Sequence, residues 1–574
     1  MCGFAGIVHN GIDNSTSFES EIKIMLSKIS HRGPDESKIW FDKTNGIYLG
    51  FSRLAMIDLE KSGQPFFDKQ YAVMFNGEIY NFKSLKAKLM ELGDTFRTNG
   101  EVEVILKMYL RFGNDFVKQL DGMFAICIIN IETNELFLAR DRFGVKPLYY
   151  SVVNGIVCFF SELKALPSFV DRKIDSKGLS LYFNLRFIPA PFTIYKDVFK
   201  LKAGEYISVD KNSNMIATQY HPYNTEKDVY PPEYANLAAV LIDSIYTTYS
   251  NSDVPIGLFL SGGIDSGIIA SLLRKEVRSF SVGYDTPGSL NQEINIINRI
   301  CESLQITPNR IMLSDSILSL LNDAVYHLDE PFYSSVSVST YSLAKQASKY
   351  VKGVMTGDGS DELLFGYEYL RSALTSSSEY EKYLSGIGWL KYESPSEWLT
   401  SYSFGQDEIK HILFSDCEVS GNIPETLRRV ELYKRLPDYH MMRVDKLTMA
   451  FGLEARVPYL RNDYADFMLS IDSSVFLKEK DTKAVLKNSF RNLLPRELLC
   501  TIKKPFTAPI KQWLEHELKE DVCKLINDKW LLQQLPLNCS KITQLLTNYR
   551  GTYADVSNLW GIYLLLKWCE INLK

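Results

Sequence analysis

Two stretches of this 574-residue sequence carry residue types that could perform chemistry. Cys2 directly follows Met1, and removal of that methionine would free an α-amine to act as general base for the thiol, since these groups titrate near about 8 and about 8.5. The segment 261–266 reads Ser-Gly-Gly-Ile-Asp-Ser, and Gly262 and Gly263 would let a phosphate approach backbone amides at a helix start. Each feature also has a plainer interpretation, as an incidental cysteine and as a tight turn that binds nothing.

Other polar residues could donate hydrogen bonds to an oxyanion or bind a metal ion. Asn76 and Gly77 come after a predicted strand over 71–75, and a side-chain amide beside a backbone amide is a donor pair suited to an oxyanion. Asp265 and Asp361 are hard oxygen ligands suited to Mg²⁺, whereas a lone acidic pair is more often a solvated loop. The glycine loop lacks the Gly-Lys-Ser/Thr sequence of a Walker loop.

The elements that must position these residues differ between the two halves of the chain. Short strands dominate the first half, with helices over 19–30 and 82–92, which indicates an α+β domain. The pattern predicts its strands over 49–59, 71–75, 124–129 and 135–140. The segment 210–230, with Asn, Ser, Thr and Pro, is typical of a strand end followed by a linker, and we place the domain boundary near residue 225. We therefore predict two domains, 2–225 and 226–574.

The second half alternates strands with helices, which indicates a mostly parallel sheet covered on both faces. Its strands are predicted over 256–260, 278–283 and 351–355, and Asp265 and Ser266 are predicted to cap the helix that follows the first of them. Ligands of such sheets bind outside the carboxyl ends of the strands, where two glycine-containing segments, 261–266 and 356–362, lie.

Composition excludes several classes of protein. The net charge of -5 gives no basic excess for a nucleic-acid partner. We find no secretion signal and no apolar run near the ~20 residues of a membrane span, and the apolar stretch 560–568 is expected to be a buried helix. Nine scattered cysteines fit a reducing compartment, so we expect a cytoplasmic protein with no membrane partner.

Eight motifs in order along the chain resemble those of the glutamine-hydrolysing asparagine synthetase family. They are MCGFAG, HRGPD, FNGEIYN, ARDRFGVKPLYY, FFSELKAL, FLSGGIDS, TGDGSDELLFGY and RVDKLTMAFGLEARVPYL. The resemblance spans nearly the whole sequence. It implies an N-terminal nucleophile-type, four-layer αββα sandwich that acts as a class II glutamine amidotransferase. It also implies that a doubly wound parallel-sheet ATP-pyrophosphatase domain follows.

The resemblance implies these roles in the first domain. Cys2 would attack the glutamine side chain, and Asn76 with Gly77 would hold the oxyanion. Glutamine would be bound by Arg53, Asn76, Gly77, Glu78 and Glu101. Glu101 stands where the family has Asp, so glutamine affinity is expected to differ. Arg53 and Glu78 have an alternative interpretation as members of a buried ion pair.

In the second domain the resemblance implies an ATP site and a metal site. The implied ATP-binding residues are Leu260, Ser261, Gly262, Gly263, Asp265, Ser266, Val282, Gly357 and Asp358, and Mg²⁺ would be held by Asp265 and Asp361. Asp358, where asparagine synthetases often have Glu, would accept a proton near the incoming nitrogen. Lys503 would neutralise the phosphates, within a loop where Thr501 and Pro505 depart from the family pattern.

Three further residues of the second domain have no single interpretation from the sequence. Arg443 and Asp445 lie in a segment that would line the ammonia path, or they form a structural ion pair. Arg461 departs from the family pattern without an obvious meaning.

The expected function is therefore ATP-dependent amide synthesis with glutamine as nitrogen donor. The leading acceptor is aspartate, and the alternatives are another carboxylate, such as a sugar uronic acid, or a non-catalytic relative that only binds glutamine or nucleotide. ATP and Mg²⁺ are the expected cofactors. The expected partners are the small-molecule substrates, with a possible homodimer.

Overall fold

The computed structural model describes residues 2–9, 18–212, 214–223, 234–284, 291–313, 316–390, 393–401, 404–478, 480–500 and 508–573. Among these residues, no helix is both long and apolar enough to cross a bilayer.

The first half of the chain forms two six-stranded antiparallel sheets. Their strands are β1 (Cys2–His9), β2 (Glu36–Asp42), β3 (Ile47–Arg53), β4 (Phe66–Asp68), β5 (Tyr71–Ile79), β6 (Gly122–Asn130), β7 (Leu136–Arg140), β8 (Tyr149–Val153), β9 (Ile156–Phe160), β10 (Val198–Lys200), β11 (Glu205–Val209) and β12 (Met215–Gln219). One sheet has the order β10-β8-β9-β1-β3-β2, and the other has the order β12-β11-β7-β6-β5-β4.

The two sheets pack face to face and are covered by helices on both sides. The helices of this half are α1 (Glu19–Lys28), α2 (Phe82–Glu91), α3 (Glu101–Phe112) and α4 (Ser176–Leu185). Phe4, Leu49 and Met74 belong to the apolar core between the sheets, while α2 and α3 cover the second sheet and α1 covers the first. This arrangement confirms the four-layer αββα sandwich.

The second half is built on a five-stranded parallel sheet. Its strands are β13 (Ile256–Phe259), β14 (Arg278–Tyr284), β15 (Asn309–Leu313), β16 (Gly353–Met355) and β17 (Glu454–Arg456), in the order β15-β14-β13-β16-β17. The chain winds outward from β13 in one direction to β15, then returns to add β16 and β17 on the other side. This reversal confirms a doubly wound sheet, and it places the topological switch between β13 and β16.

Helices surround this sheet and extend beyond it. They are α5 (Tyr234–Ser250), α6 (Ile264–Leu273), α7 (Asn291–Leu304), α8 (Ile317–Leu328), α9 (Ser337–Ala347), α10 (Ser360–Leu364), α11 (Glu368–Leu374), α12 (Glu379–Ile387), α13 (Pro395–Trp398), α14 (Gln406–Phe414), α15 (Ile423–Val430), α16 (Met442–Met449), α17 (Asn462–Leu469), α18 (Ser473–Leu477), α19 (Ala484–Ser489), α20 (Arg496–Cys500), α21 (Ile510–Glu515), α22 (Lys519–Ile526), α23 (Lys529–Gln533), α24 (Cys539–Thr547) and α25 (Tyr553–Leu573). A π-helical segment, Glu431–Met441, joins α15 to α16. The predicted buried helix over 560–568 is confirmed within α25.

Two local predictions are wrong. The strand predicted over 49–59 ends at Arg53 in β3, because Arg53 Nη1 and Nη2 bond the carbonyls of Leu59 and Asp58 and so hold the following segment as a loop. Asp265 and Ser266 do not cap α6, whose N-cap is Gly263. Both side chains lie within the first turn of that helix and have other partners, which are described below.

Candidate functional site

Cys2 begins β1 at the interface between the two halves of the molecule. Its backbone N–H donates to Asn76 Oδ1 at 2.9 Å, and its Sγ lies 4.0 Å from the carbonyl oxygen of Leu54. The residue is buried, and burial raises the pKa of the thiol above its ordinary value. The thiol therefore needs a base to become a nucleophile at neutral pH.

The predicted oxyanion donors lie next to Cys2. Asn76 and Gly77 belong to β5 and pair with Ala125 and Phe124 of β6. The Nδ2 of Asn76 is buried and has no hydrogen-bond partner among the described residues, so this donor remains available to a ligand. Gly77 has a φ of +152°, and a Cβ there would lie 1.9 Å from the carbonyl oxygen of Met123, which excludes any other residue type.

Arg53 and Glu101 both lie close to this pair of donors. Cys2 is the register partner of Arg53, whose side chain is held by Leu59 and Asp58 and lies 3.5 Å from Glu36. Glu101 begins α3, and its Oε1 accepts the amide of Ile79 at 2.6 Å. Burial raises the pKa of Glu101 well above its ordinary value.

Glu78 lies beside the predicted site but turns toward the second domain. Its Oε1 is 2.9 Å from Arg456 Nη2, and its Oε2 accepts from Asn251 Nδ2 at 3.1 Å. Arg456 also contacts Glu454 at 2.5 Å, so one cation serves two carboxylates. Burial raises the pKa of Glu78 to about 8. Although burial opposes ionisation of Glu454 too, Arg456 lowers the pKa of that group to about 2. Glu78 thus contacts Arg456, whereas Arg53 contacts Glu36, and the buried ion pair suggested for Arg53 and Glu78 does not form between them.

A second buried ion cluster was missed from the sequence. Arg32 is fully buried and lies 2.7 Å from Glu162 and 2.8 Å from Asp445, while its Nε donates to the carbonyl oxygen of Cys2 at 3.1 Å. Lys146 approaches Asp445 at 3.4 Å, and burial lowers the pKa of this lysine. Arg32 lies in the HRGPD motif and Lys146 lies in the ARDRFGVKPLYY motif. The sequence therefore indicated that both cations matter, but it did not indicate their partners.

A cavity of about 580 Å³ opens where β13, β14 and β16 end, at the topological switch. The predicted ATP and metal residues that line it are Leu260, Ser261, Asp265, Ser266, Val282, Gly357, Asp358 and Asp361. Gly262 and Gly263 belong to the same loop without lining the cavity. The loop is closed by Ser266, whose hydroxyl lies 3.1 Å from both the amide and the hydroxyl of Ser261.

The cation beside this loop is Lys483, which the sequence analysis missed. Its Nζ is 2.8 Å from Asp265 and 2.7 Å from Asp361, and only 1% of the side chain is exposed. The hydroxyl of Ser360 also bonds Lys483 and Asp265. Lys483 stands 218 positions after Asp265, and no local pattern links the two. The predicted Lys503, with Thr501 and Pro505, lies outside the described residues.

These carboxylates fit a magnesium site only in part. Among the described residues, no group of three or more His, Cys, Asp or Glu side chains could hold a metal ion. Mg²⁺ in nucleotide sites is commonly held by one or two carboxylates together with substrate phosphates. Asp265 and Asp361 converge on the ammonium of Lys483, so Mg²⁺ beside them would have to use their remaining oxygens together with oxygens of the phosphates.

The remainder of the cavity is lined by charged and aromatic residues around the π-helical segment. The residues concerned are Arg186, Glu362, Tyr367, Glu368, Tyr369, Arg435, Tyr439, His440 and Arg443. The hydroxyl of Tyr367 donates to Glu362 at 2.7 Å, and burial raises the pKa of Glu362 to about 8. Asp358, the predicted proton acceptor, lies 3.8 Å from Arg443. Arg443 and Asp445 therefore have different partners, and the ion pair suggested between them does not form.

Arg461 joins the two halves of the molecule. It contacts Asp121 at 2.9 Å and Asp243 at 3.0 Å. Asp121 directly precedes β6, and Asp243 lies in α5. The departure at this position thus corresponds to an ion pair between the domains.

Comparisons with known proteins cover both halves. The family model "Glutamine amidotransferase domain" matches residues 1–222, and the family model "Asparagine synthase" matches residues 236–570. Asparagine synthetase (glutamine-hydrolyzing) 1 of Bacillus subtilis (strain 168) is 30% identical, over 100% of this chain and 97% of that protein. Putative asparagine synthetase (glutamine-hydrolyzing) 2 of Methanocaldococcus jannaschii is 33% identical, over 64% of this chain and 76% of that protein.

Proposed function

This chain belongs to the asparagine synthase family, and we propose that it is a glutamine-hydrolysing asparagine synthetase. It converts aspartate, glutamine and ATP into asparagine, glutamate, AMP and pyrophosphate. The observation that carries the proposal is the unpaired amide of Asn76, which lies against Cys2 in a buried site and is available to a ligand oxygen.

The first reaction releases ammonia from glutamine. After removal of Met1, the α-amine of Cys2 takes the thiol proton, and the thiolate attacks the side-chain carbonyl of glutamine. Asn76 Nδ2 and the Gly77 amide stabilise the oxyanion of the tetrahedral intermediate. Collapse expels ammonia and leaves a thioester, which water cleaves to glutamate. Arg53, Glu78 and Glu101 are assigned to glutamine binding, with Glu78 acting through its contact with Arg456.

The second reaction activates the acceptor. An oxygen of the aspartate side-chain carboxylate attacks the α-phosphorus of ATP, and pyrophosphate leaves. The acyl carbon then carries AMP, a good leaving group, in place of a carboxylate oxygen, which is a poor one. Ammonia then attacks the acyl carbon, Asp358 accepts the surplus proton, and AMP departs. Lys483 supplies positive charge beside the phosphates, together with the predicted Lys503. Mg²⁺ held by Asp265 and Asp361 would neutralise phosphate charge.

Aspartate is the acceptor we propose. The relatives matched here carry asparagine synthetase names, which does not favour the sugar-acid alternative. The presence in the sequence of Cys2, Asn76, Asp265, Asp361 and Lys503 argues against a relative that only binds its ligands.

Pyrophosphate release with MgATP and glutamine, measured with and without aspartate, tests the proposal. We expect aspartate to stimulate release, with asparagine appearing in equal amount. Glutamine hydrolysis without any effect of aspartate would point instead to another carboxylate. ATP–pyrophosphate exchange that is absent with every acceptor would leave only the non-catalytic alternative.

Three finer assignments belong to the same proposal. The domains are 2–225 and 226–574, a division supported by the end of β12 at Gln219 and the start of α5 at Tyr234. The protein acts in the cytoplasm, which is supported by nine cysteines that are all free. A homodimer is proposed on family resemblance alone, and light scattering measures it directly.

A further inference from the structure

We propose that Arg443 is the carboxylate anchor of the acceptor subsite and binds the carboxylate of aspartate that does not react. This inference rests on the proposed function, because it assigns a substrate group to the same cavity. It concerns the part of the cavity beyond the nucleotide loop, where the sequence assigned no ligand-binding residue other than Asp358.

The other cations around the cavity already have strong protein partners. Arg435 lies 3.0 Å from Glu431 and donates to the hydroxyl of Tyr369 at 2.5 Å. Lys483 lies between Asp265 and Asp361. Satisfied groups of this kind gain little from a ligand, because a new contact must replace an existing one.

Two more basic residues that line the cavity are also engaged. Arg186 donates to the carbonyl oxygen of Gly388 at 3.0 Å and lies over the ring of Tyr333. His440 lies 3.7 Å from Glu362 and 3.3 Å from the hydroxyl of Tyr367.

Arg443 differs from all of these because its side chain makes no hydrogen bond within the part of the chain that the structure describes. Its Nε is buried without a partner, as is the Nε of Arg186, but Arg186 keeps its bond to Gly388. Its ion contact there is Asp358 at 3.8 Å, too long for a hydrogen bond, and 14% of the side chain is exposed. A partly desolvated guanidinium with unused donors is suited to a carboxylate, which it can bind in a two-pronged geometry.

The position of Arg443 favours the carboxylate that does not react. The reacting carboxylate must reach the α-phosphate at the loop 261–266, and Arg443 makes no hydrogen bond or ion pair with that loop. Arg443 instead neighbours Asp358, the proposed proton acceptor at the reacting carbon. A second carboxylate on the acceptor can therefore occupy Arg443 while the first faces the nucleotide. This selects a short dicarboxylate such as aspartate.

Aspartate and its α-amide, isoasparagine, are the substrates that test the assignment. Both carry the reacting side-chain carboxylate, but only aspartate has the second charged group. We expect the wild type to prefer aspartate. Arg443→Met should raise the KM for aspartate roughly 10- to 150-fold, the loss expected for hydrogen bonds to a charged group, and should abolish the preference. Arg443→Lys should restore part of it.

The readouts separate the possible failures. The KM for ATP and the glutaminase rate should stay near their wild-type values, which also shows that the variant is folded. A raised KM for ATP with the preference intact would make Arg443 a phosphate ligand, and equal losses with both acceptors would make it structural. Either result overturns the assignment of Arg443 but leaves the proposed function standing. If the wild type shows no aspartate-dependent pyrophosphate release, the proposed function fails and the subsite fails with it.

Discussion

The glutaminase site and the synthetase cavity are built in opposite ways. The first is small and buried, and its side chains come from β1 and β3 of one sheet, β5 of the other sheet and helix α3, all within the first 101 residues. The second is a cavity of about 580 Å³ lined by segments from Arg186 to Thr482. A site made from segments that lie close together in the sequence can be recognised from short motifs. A site assembled from distant segments hides the residues that complete it.

The two sites also differ in how their charges are compensated. Around Cys2, carboxylates and cations are buried in pairs, as in the contacts of Arg32 with Glu162 and Asp445. Beside the cavity, Lys483 is paired as closely with Asp265 and Asp361, but Arg443 and Asp358 keep a longer separation and partial exposure. Loss of a buried partner leaves an uncompensated charge and affects stability, whereas loss of an exposed one mainly affects binding. The predictions below test this contrast.

Cys2→Ala should separate the two sites most sharply. We expect glutamine-dependent asparagine synthesis to fall roughly 10³-fold or more, because no other nucleophile replaces the thiolate. Synthesis from added ammonia should continue, since the cavity is untouched. The matched control is Cys539→Ala, which removes an exposed cysteine and should change neither rate. Equal failure with both nitrogen sources in a folded Cys2→Ala protein would contradict this division of labour.

Lys483→Met should have the converse effect. We expect pyrophosphate release to fall roughly 10²- to 10³-fold, because the phosphates lose a preorganised cation, while glutamine hydrolysis continues. Lys487→Met is the control: this lysine lies one helical turn further on and pairs with Asp481 at 2.6 Å. Steady-state assays of both half-reactions give the comparison. If Lys487→Met proved as damaging as Lys483→Met, the effect would be structural.

Glu78→Gln should have the smallest effect, on stability as a function of pH. Folded Glu78 has a pKa of about 8, against an ordinary value of 4.5, so between these values the folded chain binds more protons than the unfolded chain. Stability must therefore fall as pH rises through this window, and glutamine removes that contribution. Glu454 has a lowered pKa, so its contribution makes stability rise with pH, and it does so only below about pH 4.5.

Thermal melting between pH 5 and pH 8 measures this difference. The Tm of Glu78→Gln should decline less over the window than the Tm of the wild type. Glu132→Gln alters an exposed glutamate and should follow the wild-type curve. Parallel curves for Glu78→Gln and the wild type would show that Glu78 carries no extra proton in the folded state.

Much of the architecture was predictable from the sequence. Alternating strands and helices after residue 226 indicated the parallel sheet, and the loop at Ser261 indicated where its cavity lies. Strand ends were less predictable: β5 continues through Asn76 and Gly77 because both residues pair with β6. Hydrogen bonds to a neighbouring strand override local propensity, and the sequence alone does not show such a neighbour.

The side-chain partners were the least predictable part. Lys483 contacts Asp265 although it follows it by 218 positions in the sequence, and Glu78 contacts Arg456 across the two halves. A charged residue in a motif can contact a substrate or a buried counter-ion. Both contacts need the same residue type, so the sequence alone does not distinguish them. Tertiary packing decides between them.

Helix α16 gives the two sites a shared mechanical element. It carries Arg443 at the cavity and, two residues later, Asp445, which is bound to the Arg32 that holds the carbonyl of Cys2. If binding of the acceptor displaces this helix, that displacement changes the affinity of the first site for glutamine. Thermodynamic reciprocity then requires glutamine to change the affinity for the acceptor by the same factor. One rigid helix can thus couple the binding of glutamine to the binding of the acceptor.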